Sequence, residues 1–390
     1  MAVGKMDFEL SQRDRAFERG VVRWVDSYVR PNLAEWHEAG ALPREFWRQL
    51  GSRGWLLVEH ARGKGLRERP MLQLATMYDR ISEASPGAGI AVFADNQLGL
   101  WSILTFGTIA QRAEFLSHAV TGEHVISFAN TEPTAGSDVA AIATRALPDG
   151  DGWRLTGKKM FITNAVEADH HIVSAVTDPH ASDPHKGMSL FIVDGDAPGL
   201  TRRALKKIAW SPASLAFLSL DDVKVGHDRL LGELNGGFKE IMQVFTTGRI
   251  GVASMTMGTA VGALRLAHRR ARTRRVFGKA IWDQPSKRDE FAEMATLVEA
   301  GRLLYRKAAW LKDKGQDYGM AASLAKLFAT ENARRVTQWA ALLHGGSSVL
   351  AESPIHRYPL DAWASALGEG VEEVQRLIIS RHFDGWIERF

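Results

Sequence analysis

The chain has no cysteine, which excludes disulfides, thiolate catalysis, iron–sulfur clusters and cysteine-ligated zinc. It also lacks a long apolar run. Within 87–110, Asp95, Asn96 and Gln97 interrupt what would otherwise approach the roughly 18 apolar residues of a membrane span. No basic-then-apolar leader pattern opens the chain, since residues 1–10 are mixed and helical spacing follows at once. Neither sign of charge dominates. The 49 Lys and Arg against 45 Asp and Glu leave +4, which suits an acidic partner or a phosphorylated ligand without announcing a nucleic-acid protein. Also missing are G-x-G-x-x-G, Walker and G-x-S-x-G patterns, which argues against a Rossmann nicotinamide enzyme, a P-loop ATPase and an α/β-hydrolase. The expectation is a cytoplasmic protein with no membrane partner.

What is present is a balanced globular composition: 45% hydrophobic and 24% charged over 390 residues, enough chain for two or three domains. The opening third reads as helical. Ser11 and Asp14 make a capping-box pattern, and Phe17, Val21, Val22, Val25 and Val29 repeat at helical spacing until Pro31, where a stop is expected. Further helices are expected over 43–57, 70–83 and 96–116. From 125 to 225 the texture is β: short runs at 153–155, 160–163, 171–176, 189–193 and 215–220, punctuated by Asp149-Gly150-Asp151-Gly152 and Asp194-Gly195-Asp196. After Gly236-Gly237 helical periodicity returns, with long segments at 249–273, 286–314, 318–343 and 371–383. The fold class is therefore α+β and multidomain: a helical domain over 1–121, a barrel-like β-domain over 122–233 and a helical bundle over 234–390.

Three segments carry candidate chemistry. Asp178-Pro179-His180 and Asp183-Pro184-His185, near His170 and His171, read as a polar loop, and no metal is expected there. His268, Arg272 and Arg275 would share one helix face, a possible phosphate stripe or a charged helix end. Thr131-Glu132-Pro133-Thr134-Ala135-Gly136-Ser137-Asp138 is a hydroxyl-rich turn that suits a dipolar ring or a pyrophosphate, or else is an ordinary surface turn.

That octapeptide resembles the T-E-P-x-A-G-S-D signature of the FAD-dependent acyl-CoA dehydrogenases. Other segments resemble the same family in the same order: Gly157-Lys158-Lys159-Met160-Phe161-Ile162-Thr163-Asn164, Asp222-Val223-Lys224-Val225, Arg274-Arg275-Val276-Phe277-Gly278-Lys279, Gly345-Gly346, and Glu369-Gly370 with Gln375-Arg376-Leu377-Ile378-Ile379. The resemblance covers nearly the whole chain and implies the family's helix–β–helix fold.

It implies site residues too. Phe128, Asn130 and Thr131 would lie along the flavin ring, Phe161 would stack on it and Thr163 would bond near its reactive edge. Ser137 would sit between flavin and pantetheine. Arg274, Phe277, Gln284, Gly345 and Gly346 would reach the FAD of a neighbouring subunit, which requires a homodimer or homotetramer. Glu369 would take the α-proton of an acyl thioester while flavin N5 takes the β-hydride, and Thr246, Arg249 and Gly370 would contact substrate. Electrons would pass to a separate acceptor. Two other branches of the fold are the flavin oxygenases, against which Glu369 speaks, and a flavin-bearing nucleic-acid binder, for which the chain lacks an extra basic domain. Several positions depart from the family pattern: Gly368 and Val371 around the base, Thr246 where Asp is usual, Gln284 displaced by one, Leu342 before the glycine pair, and 59–65 in place of a P-E-E-Y-G-G loop. Of these, Thr246 and the rewritten 59–65, with the basic balance of the chain and Arg62, Lys64, Arg67 and Arg69 as part of a docking patch, favour an acyl group borne on a carrier protein over the same group on CoA.

Overall fold

The computed structural model describes residues 10–61 and 65–388. Up to Ala119 the described chain is helical apart from the strand pair Val58–Ala61 and Gly65–Glu68, strands run from Ile126 to Leu231, and helices resume at Gly237. The first helix, Gln12–Trp24, opens as its sequence dictates, with the Ser11 hydroxyl accepting the Asp14 N–H at 3.1 Å. The expected stop at Pro31 does not occur. The chain widens into a π turn at Val25–Val29 and continues as Arg30–Ala39, with Pro31 in its first turn. The widened turn shifts the backbone register where proline has no N–H to give and relieves the clash of its ring with the preceding turn. Segment 96–116 is likewise not one helix. The π turn Ala94–Leu100 leads into Trp101–Phe106, and the chain then breaks at Gly107 before Thr108 and Gln111 form a capping box.

The strands build one mixed eight-stranded sheet. Its order is Leu230–Leu231, Met188–Asp194, His170–Val176, Arg145–Asp149, Gly152–Thr163, Leu215–Gly226 and Leu200–Ala204. Ile126–Ala129 adds to it in parallel, with Phe128 opposite Ile172. Alternation decides which face is buried. Ala216, Leu218, Leu220, Val223 and Val225 point into a core of their own with Trp153, Leu155 and Phe191.

The helices before and after the sheet share a single hydrophobic core, reaching from Val21 and Trp47 through Tyr78 and Met257 to Ala333. At its centre the 37-residue helix Gly237–Thr273 crosses Met71–Ala84 at very short range. A Cβ at Gly258 would lie 2.0 Å from the Asp79 carbonyl oxygen, and one at Gly262 2.3 Å from that of Glu83. Glycine is required there because no side chain fits between the two backbones. Beside the crossing, Asp79 ties Met71–Ala84 to a third helix, Pro285–Asp313: its carboxylate accepts from Arg302 at 2.9 and 2.7 Å and from the Tyr305 hydroxyl at 2.7 Å. Burial pushes the Asp79 carboxyl up, but Arg302 outweighs it and holds the group below the usual carboxylate value.

Among the described residues this long helix, not 87–110, is the one long and apolar enough to cross a membrane, but 83% of its apolar window is buried within the fold. It is a core helix. It also ends at Thr273, so Arg275 leaves it for the short strand Arg275–Val276 and the expected stripe with His268 and Arg272 does not form.

Candidate active site

The signature octapeptide is held by a buried ion pair that the sequence does not announce. Lys159 and Glu132 are both buried and meet at 2.8 Å. The Lys159 ammonium also donates to the Asn130 carbonyl and the Ser174 hydroxyl, each at 3.1 Å, while Glu132 accepts the N–H groups of Ala143 and Thr144. Burial lowers the Lys159 pKa to about 8 against the pull of Glu132. The clamp fixes Phe128, Asn130 and Thr131 at the end of their strand. The Thr131 carbonyl then accepts the Met160 N–H at 2.8 Å, which sets Phe161 beside it.

Phe161 is the conspicuous residue of this edge. The strand Gly152–Thr163 changes register between Lys159 and Ile162, and at that irregularity Phe161 stands at φ 61° with its ring 58% exposed. A bulky side chain in the left-handed region costs about 1–3 kcal/mol, and apolar rings are not normally held out to water at that expense. The bulge re-aims the ring outwards, as bulges beside active sites do. Thr163, two residues on, is partly exposed opposite Leu215, and Ser137 is exposed at the far end of the octapeptide.

Glu369 lies on the loop between Arg357–Ala364 and Glu372–Arg381. Phe128 packs edge-on to Phe245 at 6.2 Å, and one turn further along the same helix Gly248 faces Glu369, Phe93 and Leu98. The residue as a whole is partly exposed, but its carboxyl is packed among protein atoms. That burial pushes its pKa up to about 7, against the opposing pull of Lys326 and Arg249. No partner for the Glu369 N–H occurs among the described residues. Arg249 is buried, its Nε has no partner among the described residues, and burial pulls its pKa below the ordinary arginine value. Thr246, in the place of an acidic residue, turns its hydroxyl back to the Met242 carbonyl at 2.7 Å. Gly370 follows Glu369 at φ 86°.

The remaining expected residues form a second group. Arg274 ends the long helix, and Phe277-Gly278 makes the two-residue turn of the ribbon Arg275–Val276/Lys279–Ala280. Both turn residues have positive φ (51° and 79°), the geometry a tight hairpin demands, and Phe277 is 98% exposed at its tip. Gln284 precedes the helix Pro285–Asp313, and Gly345-Gly346 follows Gly319–His344 with open space where a Cβ would stand. At the helical rise, Arg274 lies roughly 37 Å along the axis from Arg249. The long helix thus carries Thr246 and Arg249 beside Glu369 and, through Phe245, packs on Phe128; Asn130, Thr131 and Phe161 follow from Phe128 and the Thr131–Met160 bond, and Arg274 stands apart at the far end of that helix.

Other expectations fare differently. Arg69 is buried, bonded to the Leu56 and Gly54 carbonyls and to Gln73, so it is no part of a docking patch; Arg62 and Lys64 lie outside the described residues. In the Asp-Pro-His repeats, Asp178 and Asp183 each accept the N–H two residues on, which makes both of them local turns. Lys326 was missed altogether, and Gln375 was named only as part of the ending motif, without a role. The signal for Lys326 was a lysine on the otherwise small apolar stripe Ala322, Ala325, Ala329 and Ala333.

Comparison with known proteins accounts for almost the whole chain. The acyl-CoA dehydrogenase N-terminal domain matches residues 11–123, the middle domain 127–223 and the C-terminal domain 235–383. The mitochondrial short-chain specific acyl-CoA dehydrogenase of Bos taurus is 37% identical over 378 residues, covering 96% of this chain and 90% of its own. Among solved structures, butyryl-CoA dehydrogenase from Megasphaera elsdenii superposes with a TM-score of 0.91 at 31% identity, over 97% of this chain and 100% of that one. Glutaryl-CoA dehydrogenase from Mycobacterium smegmatis in complex with FADH2 gives 0.89 at 27% identity, over 96% and 95%. The chain belongs to the acyl-CoA dehydrogenase family, FAD-dependent oxidoreductases acting on CH–CH bonds.

Proposed function

We propose that the protein introduces an α,β-double bond into an acyl-CoA thioester, with Glu369 as the base. The observation that carries this reading is the Glu369 carboxyl itself: packed among protein atoms, raised to about 7, and set against Gly248, one turn from the Phe245 that packs on Phe128. A base whose pKa lies near the working pH combines a usable ionised fraction with enough basicity to take a carbon acid's proton.

The residues present fit FAD. An exposed ring held at strained φ offers a stacking face, Asn130 and Thr131 are fixed beside it, and the open backbone at Gly345-Gly346 with the free tip at Phe277 suits an extended ligand on a neighbouring copy. The two groups lie too far apart to serve one FAD within one chain, which supports a homodimer or homotetramer in which each FAD is shared between subunits. When bound, FAD supplies the hydride acceptor and a separate acceptor takes its electrons. In the reaction, Glu369 removes the α-proton. Its own N–H, without another partner, donates to the thioester oxygen as negative charge develops there. Arg249 adds positive charge beside the base, and Ser137 lines the path of the pantetheine arm. The units 1–121, 122–233 and 234–390 divide this work between pocket floor, flavin edge and base.

CoA is the carrier this reading adopts, since the docking patch argued from sequence has lost Arg69 to the core. The test presents acyl groups of increasing length as CoA thioesters, and the same groups on a carrier protein, to the anaerobic yellow protein. Bleaching by at least one CoA thioester, faster than by its carrier-borne counterpart, is expected. A protein that stays yellow with every thioester contradicts the assignment.

A further inference from the structure

The loop that carries the base folds around a buried ammonium. Lys326, fully buried on the helix Gly319–His344, donates to the Ala366 carbonyl at 3.0 Å and to the Gly370 carbonyl at 2.6 Å. Gln375, at the start of the following helix, donates its side-chain N–H groups to the carbonyls of Glu369 at 3.0 Å and Gly370 at 2.9 Å. Three loop carbonyls therefore converge on two donors. Between them Glu369 and Gly370 adopt left-handed backbone at φ 51° and 86°, a conformation that glutamate holds only when its surroundings impose it.

We propose that Lys326 is a positioning residue for the reaction: its ammonium gathers the carbonyls on either side of Glu369 into the left-handed turn that aims the base, and its charge favours the ionised carboxylate. The proposal rests on the reading of Glu369 as base.

The charged groups around this loop leave Lys326 a distinct part. From the long helix comes Arg249, with Tyr318 facing it. From Gly319–His344 come Lys326 and Arg334, and from Glu372–Arg381 comes Glu372, which pairs with Arg334 at 2.6 Å. The pair Glu372–Arg334 largely cancels itself. Two cations, Arg249 and Lys326, then face one carboxylate that burial opposes. Burial lowers the Lys326 pKa to about 8 while Glu369 and Glu372 hold it up, so it remains charged at neutral pH. Taking away an opposing charge at this range disfavours the ionised carboxylate by about one pH unit or more.

The experiment compares wild type with Lys326→Met, Lys326→Gln and Lys326→Arg, using FAD-loaded protein throughout. The carboxyl of Glu369 is titrated directly by infrared difference spectroscopy, with Glu369→Gln as the subtraction standard, alongside the pH profile of flavin reduction by an acyl-CoA. Both neutral variants are expected to raise the midpoint by about one unit or more, with reduction at pH 7 falling about fivefold and recovering at alkaline pH. Lys326→Arg keeps the charge and should keep the midpoint near that of wild type. Lys326→Gln still offers a donor to the loop, so it covers the case in which Lys326→Met does not fold. A midpoint unmoved in the neutral variants, whatever their melting temperature, overturns the proposal. If instead Glu369→Gln reduces its flavin as fast as wild type, the reading of Glu369 as base fails, and the two failures are told apart.

Discussion

Gly248 and Glu369 pack directly against each other: a Cβ on Gly248 would stand 2.9 Å from the Glu369 Cγ and 3.5 Å from both Leu98 and Phe93. The long core helix thus sets the depth of the base by having no side chain at this point.

Gly248→Ala separates stability from chemistry. Alanine favours the helix by about 1 kcal/mol, and the atom it displaces belongs to a flexible side chain, so the melting temperature should hold or rise. The base must move, and a shift of about 1 Å at a reacting group costs up to roughly 10²-fold in rate. Stopped-flow flavin reduction by butyryl-CoA together with a thermal melt checks this. An unchanged rate would show that Glu369 is not confined by the helix.

Phe161→Gly removes a ring that is exposed and a backbone that is strained. Relief of the left-handed conformation offsets the added freedom of glycine in the unfolded chain, so the flavin-free variant should lie within about 1 kcal/mol of wild type. FAD should bind about tenfold more weakly, the loss of roughly 1.4 kcal/mol that one good aromatic contact supplies. Calorimetric titration of the apoprotein with FAD measures it. A variant that binds FAD normally but unfolds easily would make Phe161 a packing residue.

Asp79→Asn strands the buried Arg302 without its counter-charge, which costs about 3–5 kcal/mol. The pH sign follows from the depressed carboxyl. Its contribution to wild type is full above the unfolded-chain value of 3.8 and is lost as pH falls below it, so the variant should show a flatter acid limb. Urea titrations between neutral and acidic pH test both points. Equal stability at neutral pH would mean that the shared helical core holds without this tie.

The β-domain and the long C-terminal helices were legible in the sequence because period 2 and period 3.6 are set by which face is buried, and both patterns are strong here. The π turns Val25–Val29 and Ala94–Leu100 were not, since each inserts a register change that periodicity averages away; Pro31 looked like a stop for that reason. The single core joining both helical units was equally hidden, because it depends on Gly258 and Gly262 meeting a helix some 180 residues earlier, at Asp79 and Glu83. In the site, motif resemblance brought out Glu369, Phe161 and Thr131. It passed over Lys159 and Lys326, whose charges make sense only once burial shows which carbonyls they collect.

Removal of the α-proton by Glu369 is tested by Glu369→Gln, which keeps the shape of the side chain and removes the carboxylate: the FAD-loaded variant is mixed anaerobically with butyryl-CoA in a stopped-flow instrument and followed at the flavin absorbance. The variant should bind FAD as wild type does, with its flavin reduced about 10²–10⁴-fold more slowly. Reduction at the wild-type rate would place the base elsewhere and contradict this role of Glu369.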